Sequence, residues 1–500
     1  MNPRLRQALI LLAAAVISCW LAWDLADGAY TWPAFAFTLA GGAILVRLTG
    51  LSFDVIALGV VVFGYIVANR GFAQLMPAPS LPLLPAELAL LLTGGWSLVA
   101  SAFERRVPWE RDWLNRLLWI WLVVGTARLL FDVREFGLMA IRDFAMVYYS
   151  LFFFIAQRVA RQERARRFLV LSLATATALL LPVVPLYSAF PDFFLGQLTV
   201  RGTPLVYYKG DLAFTFLAVG VCLVFFLATG RRRHWAWPLS AAMFLYVAAS
   251  DNRASLFGAL VAMGLLLAAR RWQLPALQAT ALALALGVLI GLGIGLGNSW
   301  AERKLEAAGE RIQTMVNVGA VQAFASEETA MKSDNNRFRL VWWRSVATET
   351  WQGNPVFGLG FGYDLAKGFL REYNPDIGEE FTTRSPHDVF LSVFGRMGAA
   401  GLAVWLALCG LMAAETWRSF RRGDDDPARG LWCAVWVILA SATFGVVLEG
   451  PMGAVPFWTI LGLAHAMGRA QPPGSDLNEV ASPPDPTAIE ELREPANATS

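Results

Sequence analysis

The residues with chemistry to offer in this sequence are the charged and histidine side chains that border its apolar runs. Arg201 stands in Arg201-Gly-Thr-Pro, ahead of Lys209-Gly-Asp211 at an expected helix start. Arg253 lies in Asp251-Asn-Arg253, a very short connection between two apolar runs. Arg337 and Arg339 open an expected helix, His387 stands in Ser385-Pro-His-Asp388, and Glu449 closes a late apolar run. A guanidinium grips phosphate in a bidentate fork and keeps its charge when partly desolvated. A neutral imidazole can take a proton from a hydroxyl near neutral pH. Several arginines beside one histidine therefore describe a site for an anionic phosphate ligand with a general base at hand.

Other charged groups fit plainer roles. Of the three histidines, His234 adjoins an arginine run and reads as solvated, and His465 sits near the inner end of the last apolar run and reads as structural. Arg70 and Arg134 read as loop charges. Arg128 and Arg142 fit either the site or a pairing with Asp132 and Asp143 that holds helices together. Arg396 follows His387 by nine residues, and nine steps of about 100° place it on the opposite helix face. Asp424-Asp-Asp426 sits among arginines and reads as a solvated charge run. Gly358-Leu-Gly-Phe-Gly362 lacks the strand–turn–helix setting of a dinucleotide fingerprint. No zinc, haem or phosphate-loop pattern is present, so no metal and no cofactor is expected. The four cysteines fall in apolar runs without ligand spacing and read as small core residues.

The elements that must position this chemistry are membrane helices. Hydrophobic residues make up 56% of the 500 and charged residues only 16%, and the apolar residues come in blocks about 20 long. Such blocks exclude a disordered chain and argue against a soluble enzyme. A net charge of +3 excludes nucleic-acid binding driven by global basicity. Spans are expected near 8–26, 30–48, 51–68, 86–103, 117–131, 138–157, 168–187, 211–229, 235–250, 254–269, 275–297, 388–416, 431–449 and 453–467. Basic residues orient them. Arg4 and Arg6, Arg105 to Arg116, Arg158 to Arg167, Arg231 to Arg233, Arg270, Arg271 and Arg418 to Arg429 collect on one side, which places both termini in the cytoplasm. The candidate site residues all fall on the other side. The chain divides into N-terminal spans (1–297), an outer loop with short helices (298–386), C-terminal spans (387–470) and a Pro-rich acidic tail (471–500) that reads as disordered. Within the loop, helices are expected near 301–314 and 336–351, the second ended by Asn354-Pro355.

The order of these motifs resembles the O-antigen ligase and polymerase superfamily of bacterial membrane glycosyltransferases. Ser250-Asp-Asn-Arg253-Ala-Ser-Leu-Phe-Gly is similar to the family's Ser–Arg–small motif at the start of a span. Arg339-Leu-Val-Trp-Trp followed by Asn354-Pro-Val-Phe-Gly-Leu-Gly-Phe-Gly362 resembles its loop signature. Ser385-Pro-His387-Asp-Val-Phe-Leu with Gly398-Ala-Ala-Gly401-Leu resembles its histidine motif, and Arg201 through Asp211 its upstream arginine pattern. Here Asp388 stands where the family usually carries Asn, and Arg396 where it often carries an acid.

The resemblance implies an all-α polytopic membrane protein, type C glycosyltransferase-like, with about 12–14 transmembrane helices and one large periplasmic loop. It implies metal-independent, inverting transfer of a glycan from undecaprenyl diphosphate in the periplasm of the inner membrane. His387 would be the general base, oriented by Asp388. Arg253 and Arg339 would stabilise the leaving diphosphate, and Arg201, Lys209, Asp211, Arg337, Asp388 and Glu449 would bind substrate. The acceptor expected first is lipid A-core, as for an O-antigen ligase. Alternatives are a polymerase extending an O-antigen, capsule or exopolysaccharide, transfer to a protein hydroxyl, or, in another class, a transporter of polysaccharide or lipid-linked sugar. Partners are thus the lipid-linked donor, the acceptor and the bilayer, with no nucleic acid.

Overall fold

A computed structural model describes residues 18–20, 22–23, 40–42, 44, 46–75, 84–105, 107, 109–208, 210–227, 233–250, 252–268, 327–373, 384–422 and 428–469. The spans expected at 8–26, 30–48 and 275–297 lie wholly or largely outside these residues. So do the loop helix expected at 301–314 and the acidic tail.

The described chain is nearly all helix: α1 (Phe53–Val67), α2 (Pro85–Glu104), α3 (Trp113–Phe136), α4 (Leu138–Val159) and α5 (Glu163–Ala189) come first. A two-residue hairpin, β1 (Thr199–Val200) and β2 (Thr203–Pro204), follows. Then come α6 (Gly210–Leu227), α7 (Arg233–Ala249), α8 (Arg253–Ala268), α9 (Glu327–Gly353), α10 (Lys367–Tyr373), α11 (Val389–Arg421), α12 (Ala428–Ala442) and α13 (Pro451–Arg469). Among the described residues, α2, α4, α5 and α11 are each long and apolar enough to cross a membrane, and shorter apolar helices lie in α6, α7, α8 and α12. The molecule is an all-α polytopic membrane protein.

The sequence distributes its apolar residues in two ways. Some fill a core: Trp121 of α3, Trp405 of α11 and Trp458 of α13 are buried and in ring contact, at 5.5 Å and 6.2 Å between centroids. Others, such as Val123, Leu130 and Phe131 on α3 and Leu171 on α5, face outward, as lipid permits and water does not. Helix α6 lies against α5, α7, α8 and α12, while α13 packs on α4 and α12, and α11 on α3 and α9.

Three expectations change. The span read at 388–416 is broken: α11 carries a non-helical residue at Gly398 (φ 64°, ψ −161°). The span read to Glu449 stops at Ala442, and residues 443–450 are non-helical before Pro451 opens α13. Proline suits a first helical turn, where its missing N–H has no partner to lose. Helix α9 starts at Glu327 rather than near Asn336, so Arg337 and Arg339 lie well inside it. Neither glycine nor proline interrupts Glu327–Asn336, which lets the polar stretch continue the helix.

Candidate functional site

The first two components are helix N-termini. The backbone carbonyl of Asp211, one residue into α6, accepts from the hydroxyls of Thr215 (2.7 Å) and Ser255 (2.8 Å). Ser255 lies in the first turn of α8, where the Asn252 side chain caps the helix by accepting from the Ser255 N–H at 2.9 Å. The starts of α6 and α8 are therefore joined. Unpaired N–H groups and the helix dipole make such ends favourable to anions. Arg253 is the first residue of α8. Lys209 and the side chains of Arg253 and Arg337 lie outside the described residues.

Helix α9 brings the next group. Arg339 is half-buried. Burial pulls its pKa below the ordinary value, and the Asp211 carboxylate acts in the opposite direction. Trp342 and Trp343 follow at three and four residues, so they share the Arg339 face of the helix. Trp342 donates its Nε1–H to the Leu365 carbonyl at 2.7 Å, stacks on Phe369, and meets the His387 imidazole edge-on at 5.7 Å between centroids. Trp343 donates to the carbonyl of Pro386, the residue before His387, at 2.7 Å.

His387 is half-buried and has φ 57°, a left-handed backbone that non-glycine residues seldom adopt. Its flanks are tied on every side. The hydroxyls of Ser385 and Ser392 both donate to Oε1 of Glu449. The Asp388 carboxylate caps α11 by accepting from the Leu391 N–H at 2.8 Å. Glu449 sits in the non-helical 443–450 segment rather than at a helix end. The same segment reaches the other elements through Phe444, which contacts Phe257 of α8 at 5.4 Å and Trp343 at 6.2 Å. Asp211, Arg339, His387, Asp388 and Glu449 thus belong to one assembly. Arg201 is exposed at the turn of the hairpin, and beyond the hairpin the Tyr207 carbonyl accepts from the Arg70 N–H at 2.9 Å.

The glycine-rich turn is a structural plug. Where α11 breaks, the N–H groups of Ala399 and Ala400 donate to the carbonyls of Pro355 and Val356 (2.8 and 3.0 Å), and the Leu359 N–H donates to the Gly395 carbonyl (2.7 Å). The break's backbone groups are satisfied by the loop, as a low-dielectric setting demands. The approach needs glycine on both sides. Gly358 (φ 74°) would place a Cβ 2.5 Å from the Gly398 nitrogen, and Gly398 would place one 2.4 Å from the Val356 carbonyl carbon. The loop's far side docks on buried acids: the Phe361 N–H donates to Asp132 at 2.7 Å and the Gly362 N–H to Asp143 at 3.0 Å. Asp132 pairs with Arg128 at 2.9 Å, as one of the two readings of Arg128 expected. Asp143 pairs with Arg396, not Arg142. Arg396 is thereby committed to a buried ion pair, in keeping with its place away from the His387 face.

Sequence reasoning passed over Asp132 and Asp143 as anchors of the loop, although acids inside apolar runs are the available signal. It also passed over Arg384, whose guanidinium donates to the Gly362 carbonyl and joins the glycine turn to the histidine turn. At the other end of α13, His465 bonds Asp112 at 3.0 Å through Nε2. Glu110, Asp112 and His465 are spaced as metal ligands would be. However, the Arg469 guanidinium already lies 3.3 Å from Asp112 and 3.7 Å from Glu110, and it supplies the positive charge there.

The assembly can hold an anion at helix N-termini beside a half-buried cation, with an imidazole in a fixed turn next to it. Comparison with known proteins agrees in kind. Residues 238–406 match the model of a protein family described as O-Antigen ligase. The matched stretch covers about a third of the chain and includes Arg253, Arg339 and His387, and it ends before Glu449. It supports the O-antigen ligase and polymerase superfamily, and with it a glycosyltransferase-like enzyme that acts on lipid-linked glycans at a bilayer. No curated protein matches the chain.

Proposed function

Starting from the O-antigen ligase match over residues 238–406, we propose that this chain transfers a glycan from undecaprenyl diphosphate to an acceptor hydroxyl on lipid A-core. In this reading the site faces the periplasm and the protein resides in the inner membrane. His387 takes the proton from the acceptor hydroxyl as its oxygen attacks the anomeric carbon. The bond from that carbon to the diphosphate oxygen breaks with inversion, and undecaprenyl diphosphate leaves with the electron pair. Negative charge grows on the leaving oxygen. Arg253 and Arg339 meet it, and the joined N-termini of α6 and α8 add to the stabilisation. Fixed positive side chains can perform that task without a metal.

The observation that carries the reading is the convergence of Arg339 and the fixed His387 turn on one face of α9, through Trp342 and Trp343. A transporter would instead need charged residues along a path through the membrane.

The experiment uses the purified protein in nanodiscs with an undecaprenyl-diphosphate-linked glycan and lipid A-core. Glycosylated acceptor is expected from the wild type, with turnover lost in His387→Ala, Arg253→Ala and Arg339→Ala and unaffected by chelator. Full turnover in His387→Ala overturns the general-base assignment, and a collapse with chelator overturns the metal-free mechanism. Elongation of the donor glycan in place of acceptor transfer reassigns the chain as a polymerase.

A further inference from the structure

We infer that Glu449 is a positioning residue for His387, acting through Ser385 and Ser392 rather than by touching either substrate. The inference rests on the reading of His387 as general base. Three observations carry it. One oxygen of Glu449 receives both serine hydroxyls, and these serines bracket His387, one in the turn and one in the first turn of α11. The two hydroxyls are also 3.4 Å from each other, so Glu449 closes a small ring of contacts across the turn. Finally, His387 sits in a left-handed conformation at φ 57° that a free chain would leave, so something must hold it there. Trp343 fixes the Pro386 carbonyl and Arg384 ties the start of the turn to Gly362, while Glu449 holds the two serines on either side of His387.

Glu449 is delivered from a different part of the chain, the non-helical link between α12 and α13, and lies beyond the stretch matched by the family model. The device therefore couples the histidine turn to the last two helices. A carboxylate suits the position because it accepts hydrogen bonds only, and its one oxygen can accept two hydroxyls at once. Such a group raises turnover by holding the base in place, since a shift of about 1 Å can cost on the order of 100-fold in rate.

The test compares Glu449→Ala, Glu449→Gln and the double variant Ser385→Ala/Ser392→Ala in nanodiscs, with His387→Ala as reference. Glu449→Ala is expected to lower kcat about 30-fold while KM for donor and acceptor stays within about twofold of wild type. Glu449→Gln keeps an accepting oxygen and is expected to restore most of kcat. The serine double variant, which removes only two hydroxyls, is expected to match Glu449→Ala even if the latter folds poorly. A raised KM in Glu449→Ala that Gln fails to restore assigns Glu449 to substrate binding and overturns the inference. So does wild-type kcat in the serine double variant. Should His387→Ala stay active, the general-base reading fails instead, so the two failures are told apart.

Discussion

Trp343 and Pro386 are joined by a hydrogen bond of 2.7 Å from the indole Nε1–H to the prolyl carbonyl. The contact ties the middle of α9 to the residue before His387. It makes α9 a wall of the candidate site. Trp343→Phe keeps the ring against Phe444 and deletes the donor. The lost bond costs about 1 kcal/mol of stability, while turnover is expected to fall about tenfold because the histidine turn loosens. Thermal unfolding and steady-state kinetics on the same sample check the two effects separately.

Arg339→Lys keeps the charge and gives up the planar fork. If Arg339 meets a diphosphate, turnover drops by roughly 10- to 100-fold while stability holds within about 1 kcal/mol of wild type. Wild-type kinetics in this variant would remove Arg339 from the leaving-group role.

The buried pair Arg396–Asp143 makes a stability prediction with an internal control. Arg396→Met alone or Asp143→Leu alone leaves an unpaired charge beside the glycine turn and costs about 3–5 kcal/mol. The double variant is expected to be more stable than either single one, measured as unfolding in detergent. Equal losses in all three would mean that the loop needs Asp143 for the Gly362 N–H more than it needs the pair.

Asp112 gives a pH dependence. Burial pushes its carboxyl up, but the His465 hydrogen bond and charge, the Asn115 N–H and Arg469 together hold it down at about 2. A folded value below the ordinary 3.8 means the stabilisation is complete above about pH 4 and is lost as the pH falls towards 2, with a size of about 2 kcal/mol. Asn is as good a helix cap as Asp, so Asp112→Asn isolates the charge. Its melting temperature is expected below wild type at pH 7, with the gap closing as the pH falls to about 2. A constant gap would point to geometry and not to ionisation.

The fold class was readable because lipid-facing helices need long apolar blocks and little else. The candidate residues were readable in part because unusual charges stand out against such blocks. His387, Arg339 and Asp211 stand out that way; Arg339 feels the Asp211 carboxylate, and Trp342, one turn along α9 from Arg339, meets His387. The role of Glu449 was not readable. Its partners are two serines distant in sequence, and hydroxyls carry no pattern of their own. The break at Gly398 was hidden for a different reason. Glycine within an apolar run gives the same hydropathy whether it continues a helix or interrupts it, and only the paired glycine at 358 explains the choice. Likewise, the sequence set Asp143 beside its neighbour Arg142, and packing pairs it instead with Arg396, 253 residues away.

The break in α11 also orders the birth of the molecule. Ala399 and Ala400 find their acceptors in Pro355 and Val356, residues synthesised before them. The glycine turn thus remains unfinished until the ribosome has passed residue 400, and the first segment of α11 stays a helix without a settled end until then. Neither the glycine turn nor α11 can mature first. Each waits for the other, so the two are completed together once residue 400 has been made.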